Sequence, residues 1–211
     1  MLQSIRSALA VPAVYQLWSN VVGGPACLKA LINEYIQPGV DSRILEIGCG
    51  PGTIVPYLPQ SGYLGFDLSS KYIEQARRRF PKAKFVCERV SKFSLAQQQS
   101  CDVVVAIGIV HHLDDAEAGQ LFQIAHDALK PGGRLVTVDG VFTNDQSAAA
   151  RWLLARDRGE YVRSEQEYVR LASQVFGEIK PIVRHDLLRI PYTHLILECA
   201  RSAVSVAGKT A

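Results

Sequence analysis

The sequence predicts an α/β protein, a doubly wound and mainly parallel sheet with helices on both faces. Three observations carry that prediction. Short apolar runs alternate along the chain with stretches of helical length. The first run, Ile44-Leu45-Glu46-Ile47, passes straight into the glycine-rich turn Gly48-Cys49-Gly50-Pro51-Gly52. The second, Tyr63-Leu64-Gly65-Phe66, ends on an acid, Asp67. Strands and helices that alternate in this way build parallel sheets. A chain of 211 residues, 48% apolar and 20% charged, can bury a core wide enough for six or seven strands.

Residues 11–37 read as one or two amphipathic helices, interrupted at Val21-Val22-Gly23-Gly24-Pro25 and ended by Pro38-Gly39. Strand one is expected over 43–48, and Pro56 and Pro59 keep the helix after its glycine turn short. Strand two covers 62–67. Ser69 or Ser70 then caps a helix that runs to Phe80 and stops before Pro81. Strand three is 84–88 and strand four 102–107. Asp114 with Glu117 starts the next helix as a capping box, and Pro131-Gly132-Gly133 stops it ahead of strand five, 134–139. Over 141–178 no strand is expected. A helix over 145–158, a turn at Gly159 and a helix capped by Ser164 with Glu167 fill that stretch. Two further strands, 179–183 and 193–199, close the order, and the small, polar stretch 201–211 reads as a frayed tail.

Composition narrows the function classes. A net charge of +3 is too small to argue for nucleic acid or a membrane surface, and Arg77-Arg78-Arg79 sits where cations complement a helix C-terminus. The five cysteines contain no C-x-x-C pair and are odd in number, as expected of reduced thiols in a cytoplasm. No apolar run reaches the length of a membrane span. Met1–Trp18 holds a single Arg and reads poorly as a signal peptide, so the expected location is cytoplasmic.

The glycine turn and Asp67 together suit a ligand that carries adenosine. Glycines let backbone N–H groups come close with no Cβ in the way, and an acid ending the second strand can accept from both ribose hydroxyls. The spacing is not the dinucleotide G-x-G-x-x-G, because Thr53 stands where its third glycine would be, and no Lys follows to make a phosphate loop. The pattern is instead E-x-G-x-G-x-G from Glu46. An acid at that place can hold the ammonium of an amino acid and would repel a pyrophosphate.

Four blocks in order carry a resemblance: Ile44–Thr53; Gly65-Phe66-Asp67-Leu68-Ser69; Cys101–Ala106 leading to His111-His112-Leu113; and Leu129-Lys130-Pro131-Gly132-Gly133-Arg134-Leu135. Over about residues 40–140 the chain resembles the class I S-adenosylmethionine-dependent methyltransferases, in particular their small-molecule, single-domain type. The resemblance implies a Rossmann-like methyltransferase fold of seven strands, the last antiparallel. It implies one domain over 1–200, with N-terminal helices in 1–40, a helical lid insert over 141–178 and a flexible tail at 201–211. The activity implied is methyl transfer from S-adenosyl-L-methionine to a small-molecule acceptor. The alternatives are an NAD-dependent Rossmann oxidoreductase and a non-catalytic S-adenosyl-ligand binding protein.

The resemblance carries over to Glu46, Gly48, Cys49, Gly50, Asp67, Leu68, Arg89, Val90, Ile107 and His112 as cofactor-binding residues. Relatives commonly show Gly-Asp-Ala after strand three, where this chain has Glu88-Arg89-Val90. Either Glu88 substitutes with a shifted register, or the backbone of Arg89 and Val90 reads the adenine. His111 is the candidate general base. Tyr15, Trp18, Arg158, Tyr161 and Arg163 are the candidate acceptor-binding residues. Arg163 before the Ser164 cap would favour an anionic group on the acceptor, unless it merely pairs with Glu167. Neither a metal site nor a nucleic-acid partner is expected, and the chain reads as a monomer or homodimer.

Overall fold

Strand pleating sends Leu45, Ile47, Val104 and Ala106 into one apolar cluster and Ile44, Val103, Val105 and Ile196 into another. Both faces of the sheet are therefore buried, which is why its central strands read as unbroken apolar runs. The computed structural model describes residues 21–94, 98–157 and 159–203. Its strands are β1 (Ile44–Ile47), β2 (Tyr63–Asp67), β3 (Lys84–Cys87), β4 (Cys101–Ile107), β5 (Leu129–Phe142), β6 (Arg163–Ser164), β7 (Glu178–Arg184) and β8 (His194–Ala200). Its α-helices are α1 (Gly24–Leu31), α2 (Ser70–Arg79), α3 (Asp115–Ala128), α4 (Ala148–Leu154) and α5 (Glu165–Ser173).

The sheet order is β3-β2-β1-β4-β5-β8-β7, with β6 paired to β5 off that path. β1 to β5 pair in parallel, and β8 runs antiparallel to both β5 and β7. This is the expected Rossmann-like arrangement, with one two-residue strand, β6, added. The chain leaves β1 toward β2 and β3, then returns to lay β4 on the other side of β1. That reversal opens a crevice at the carboxyl ends of β1 and β4, where open α/β sheets take their ligands.

The helix caps fall where the sequence placed them, although Asp114 and Glu117 make only one bond of the expected capping box. Ser69 accepts from the Tyr72 N–H at the start of α2, and Asp114 accepts from the Glu117 N–H at the start of α3. Ser164 and Glu167 form a reciprocal capping box on α5. Five local expectations are corrected. Two 3₁₀ turns, Val55–Tyr57 and Gln60–Gly62, replace the short helix after the glycine turn, since Pro56 and Pro59 interrupt any longer ladder. β5 begins at Leu129 and passes through Pro131-Gly132-Gly133, with Gly132 at φ +79° and a register shift between Cys101 and Val103 of β4 absorbing the irregularity. The helix expected over 145–158 spans only Ala148–Leu154, because Ser147 caps it and the chain turns after Leu154. The stretch expected to lack strands holds β6. The tail expected from 201 does not fray at its first residue, since Arg201 Nη1 donates to the His126 and Leu129 carbonyls and its N–H to the Gly133 carbonyl; the expected helix before residue 21 and the tail from 204 lie outside the described residues.

β6 decides the shape of the segment over the crevice. Val141 and Phe142 of β5 pair with Arg163 and Ser164, so residues 143–162 leave and rejoin the sheet at one point and form a closed flap. Among the described residues no helix is long and apolar enough to cross a membrane.

Candidate active site

A cleft of about 1760 Å³ opens at the carboxyl ends of β1, β4 and β5, and its wall includes Glu46, Gly48, Cys49, Gly50, Asp67, Leu68, Glu88, Arg89, Val90, Ile107, His111 and His112. One end is built by β1 and β2. Gly48, Gly50 and Gly52 all lie in the left-handed region, at φ +73°, +50° and +74°. A Cβ on Gly52 would press on Phe80, whereas one on Gly50 would meet nothing within 4 Å. Gly50 therefore keeps cleft space empty, which is the behaviour required of a cradle for a close-fitting ligand.

Asp67 ends β2 and holds that cradle in place. Its Oδ2 accepts from the Gly50 N–H at 3.0 Å and its Oδ1 from the Ser69 N–H at 2.8 Å. A carboxylate oxygen has room for a second donor, so each can also take a hydroxyl. Deeper in, Glu46 is only 3% exposed and accepts a hydrogen bond from the Tyr63 hydroxyl. Burial raises its pKa to about 8, against the Tyr63 hydrogen bond and with the Asp67 charge adding to the rise. Gly65 makes the arrangement fit: a Cβ there would lie 2.5 Å from the Tyr63 hydroxyl and 2.9 Å from Cys49 Sγ. A buried acid with no cation beside it among the described residues suits the ammonium of an amino-acid ligand. After β3, Glu88 Oε1 accepts from the Arg89 N–H at 2.9 Å, so that backbone donor is already engaged.

The other end is polar in a different way. His111, in the turn after β4, is 6% exposed, and its ring Nδ1 lies 2.7 Å from Asp139 Oδ1 on β5. The same oxygen accepts from the His111 backbone N–H at 3.1 Å. The ring Nε2 faces Asp157 Oδ1 at 3.5 Å, an ion-pair distance rather than a short hydrogen bond. Burial opposes charge on the ring, yet Asp139 and Asp157 outweigh it and raise the pKa of His111 to about 9. Tyr192 Oη donates to Asp157 Oδ2 at 2.8 Å and the Gly159 N–H to Oδ1 at 3.0 Å. Burial works against the charge of Asp157, but the His111, Gly159 and Tyr192 hydrogen bonds hold it well below the ordinary carboxylate range. His194 goes the opposite way: burial first, then the His111 charge, lower its pKa to about 4, and it stays neutral.

This corrects two sequence-based expectations. With both ring nitrogens facing carboxylates, the doubly protonated form of His111 is favoured, which works against the general-base role expected of it. Arg163 is 7% exposed and turns inward. Its Nε and Nη2 bond Asp115 Oδ1, Nη2 also bonds the Leu113 carbonyl, and Nη1 bonds the Val110 and Tyr161 carbonyls. Those five bonds use every N–H of a guanidinium, so Arg163 neither reaches a ligand nor pairs with Glu167. Tyr161 is 40% exposed, its ring beside that guanidinium, and is absent from the cleft wall. Tyr15, Trp18 and Arg158 lie outside the described residues. Trp152, Arg156 and Asp157, from the Arg- and aromatic-rich stretch between the fifth and sixth expected strands, line the cleft, as do Asp139, Tyr192 and His194, to which no sequence signal pointed.

Residues 44–133 match a family model described as a methyltransferase domain. An uncharacterized methyltransferase of Synechocystis sp. is 29% identical over 134 residues, which cover 61% of this chain and 63% of that protein. The chain thus spans less than two thirds of that relative's length. A Thermotoga maritima S-adenosylmethionine-dependent methyltransferase, described as a possible histamine N-methyltransferase, superposes with a TM-score of 0.68 at 19% identity, covering 92% of this chain and 97% of that one. A geranyl diphosphate C-methyltransferase of Streptomyces coelicolor, solved with Mg²⁺, geranyl diphosphate and S-adenosyl-L-homocysteine, gives 0.62 at 15% identity with 84% and 80% covered. At these identities the likeness to solved structures is one of fold.

Proposed function

From the premise that this chain is a class I S-adenosylmethionine-dependent methyltransferase, we propose that it transfers the methyl group to a small-molecule acceptor by in-line displacement. The observation that carries the reading is the pairing of Asp67 with the open Gly50 cradle, a carboxylate with spare acceptor capacity beside space that no side chain fills.

The residues fit the cofactor along its length. Asp67 takes the ribose hydroxyls, and Gly48, Cys49 and Gly50 let the chain approach. Glu46 takes the ammonium, losing its proton as it does so. Glu88, whose Oε1 already takes the Arg89 N–H, is better placed than that N–H to read the adenine amino group, with Leu68, Val90, Ile107 and His112 completing the wall. When bound, S-adenosyl-L-methionine supplies an already activated methyl group on a sulfonium. The protein's part is then to hold the acceptor in line and exclude water, which accounts for several kcal/mol of barrier lowering. The flap over 143–162 serves as the lid, contributing Trp152, Leu153, Arg156 and Asp157 to the wall. His111 fastens that lid rather than abstracting a proton.

Titration calorimetry with S-adenosyl-L-homocysteine and with NAD tests the cofactor. Micromolar binding of the first is expected, and binding of NAD alone would overturn the reading. Turnover of S-adenosyl-L-methionine over a broad acceptor panel tests the reaction. Tight cofactor binding with no methylated product from any acceptor would leave a binding protein instead.

A further inference from the structure

We propose that the acceptor end of the cleft is built to take an amine, whose N–H groups are held by the carboxylates of Asp139 and Asp157. The inference rests on the methyl-transfer reading above and names its acceptor class.

Asp139 lines the cleft at 3% exposure. Its Oδ1 is occupied twice by His111, while its Oδ2 has no hydrogen-bond partner among the described residues. A buried carboxylate oxygen without a donor is costly, so a ligand donor that reaches it is favoured. Asp157 approaches the same imidazole from the lid, and the Tyr192 hydroxyl and Gly159 N–H fix its orientation. Gly140 lets this wall close, since a Cβ there would lie 2.6 Å from both Tyr192 Oη and Leu154 Cδ2.

Counting charge decides the class. Among the described residues, two carboxylates face one imidazolium, and burial holds His194 beside them neutral. Arg156, a cation on this side, is exposed, stacks over Trp152 at 4.1 Å and donates to the Trp152 carbonyl. An anionic acceptor would meet two carboxylates, and the arginine that argued for one, Arg163, is turned away. An amine finds acceptors for its N–H groups, and Leu28, Leu153, Leu188 and Ile190 offer its carbon skeleton an apolar wall.

The transfer step favours the same class. The acceptor reacts as the free amine, its ammonium proton having been lost to bulk water as it enters the cleft. The nitrogen lone pair then forms the N–C bond while the C–S bond breaks and its electron pair returns to sulfur, leaving a neutral thioether. Positive charge thus moves from sulfur to nitrogen, next to the carboxylates, which stabilise it as it develops.

The test is binding to protein saturated with S-adenosyl-L-homocysteine, measured calorimetrically with three matched probes: benzylamine, benzyl alcohol and benzoate. Benzylamine is expected to bind at least tenfold tighter than the other two. Asp139→Asn should remove at least tenfold of that preference with less than a twofold change in S-adenosyl-L-homocysteine affinity. Asp157→Asn gives the same comparison should Asp139→Asn not fold. A preference for benzoate or the alcohol, equal or no binding of all three, or an amine preference that survives in the folded variants overturns the proposal alone. No binding of S-adenosyl-L-homocysteine overturns the methyl-transfer reading with it.

Discussion

Asp67 and Arg163 show how similar-looking charged residues divide between ligand and scaffold. Asp67 gives one lone pair on each oxygen to a backbone N–H and keeps others facing the cleft. Asp67→Ala removes the charged acceptor for two hydroxyls and loosens the Gly50 cradle together. S-adenosyl-L-homocysteine affinity should fall by about 2–4 kcal/mol, since charge-assisted hydrogen bonds are the strong ones. An unchanged dissociation constant by calorimetry would mean that the cofactor sits elsewhere. Arg163 has nothing left to offer a ligand. Its loss unpairs the buried carbonyls of Val110 and Leu113 and releases β6 from α3. Arg163→Ala should cost about 3–5 kcal/mol of stability, read as a melting temperature lower by roughly 6–20 °C. Acceptor KM in whatever protein remains folded should move little. A variant of wild-type stability that has lost acceptor affinity would return Arg163 to the cleft.

At the scale of elements, the parallel strands and helix caps were legible because each depends on neighbours close in sequence. The flap was not, because its course is set by contacts far along the chain. β6 exists where Arg163 can reach Val110, Leu113 and Asp115, and nothing near residue 163 announces that. The cofactor end was legible for the same local reason: Glu46 and Asp67 lie on two adjacent strands and the glycines in the turn that follows the first of them. The acceptor end gathers residues 111, 139, 157, 192 and 194 from four separate stretches, so spacing along the chain carried no trace of it. The β1–β2 pair also makes a pH prediction. Tyr63 reaches Glu46 because Gly65 leaves room, yet burial still raises the acid to about pKa 8. A ligand ammonium favours ionised Glu46 and lowers that pKa on binding. Affinity for S-adenosyl-L-homocysteine should therefore rise as pH goes from 6 to 8, by at most tenfold per unit for one proton released, and level off above. In Glu46→Gln the slope should vanish. A flat profile in the wild type would show that Glu46 does not meet the ammonium.

For the molecule as a whole, His111 is where the sheet, the post-β4 turn and the lid are joined. Asp139 holds the ring from β5, Asp157 from the lid, and Tyr192 ties Asp157 to the approach to β8. The Tyr161 N–H also donates to the His111 carbonyl at 2.9 Å, and Gly159 packs so close that a Cβ there would lie 2.7 Å from the same oxygen. The seating of the flap on the sheet and the charge on one imidazole are therefore linked. The pKa of His111 in the folded protein, about 9, lies above the ordinary value of 6.5, so folding favours the protonated ring. Its contribution is full below about pH 6.5 and is lost as pH rises through 9, a change of about 3 kcal/mol. Wild-type melting temperature should drop between pH 7 and 10 by roughly 6–12 °C more than that of His111→Gln, in which this proton is missing. The His111 Cε1–H resonance should titrate near pH 9, and in Asp157→Asn it should titrate lower. A ring that titrates near 6.5 would be uncharged at neutral pH. It would then hold the lid by packing alone and regain the lone pair that a general base requires.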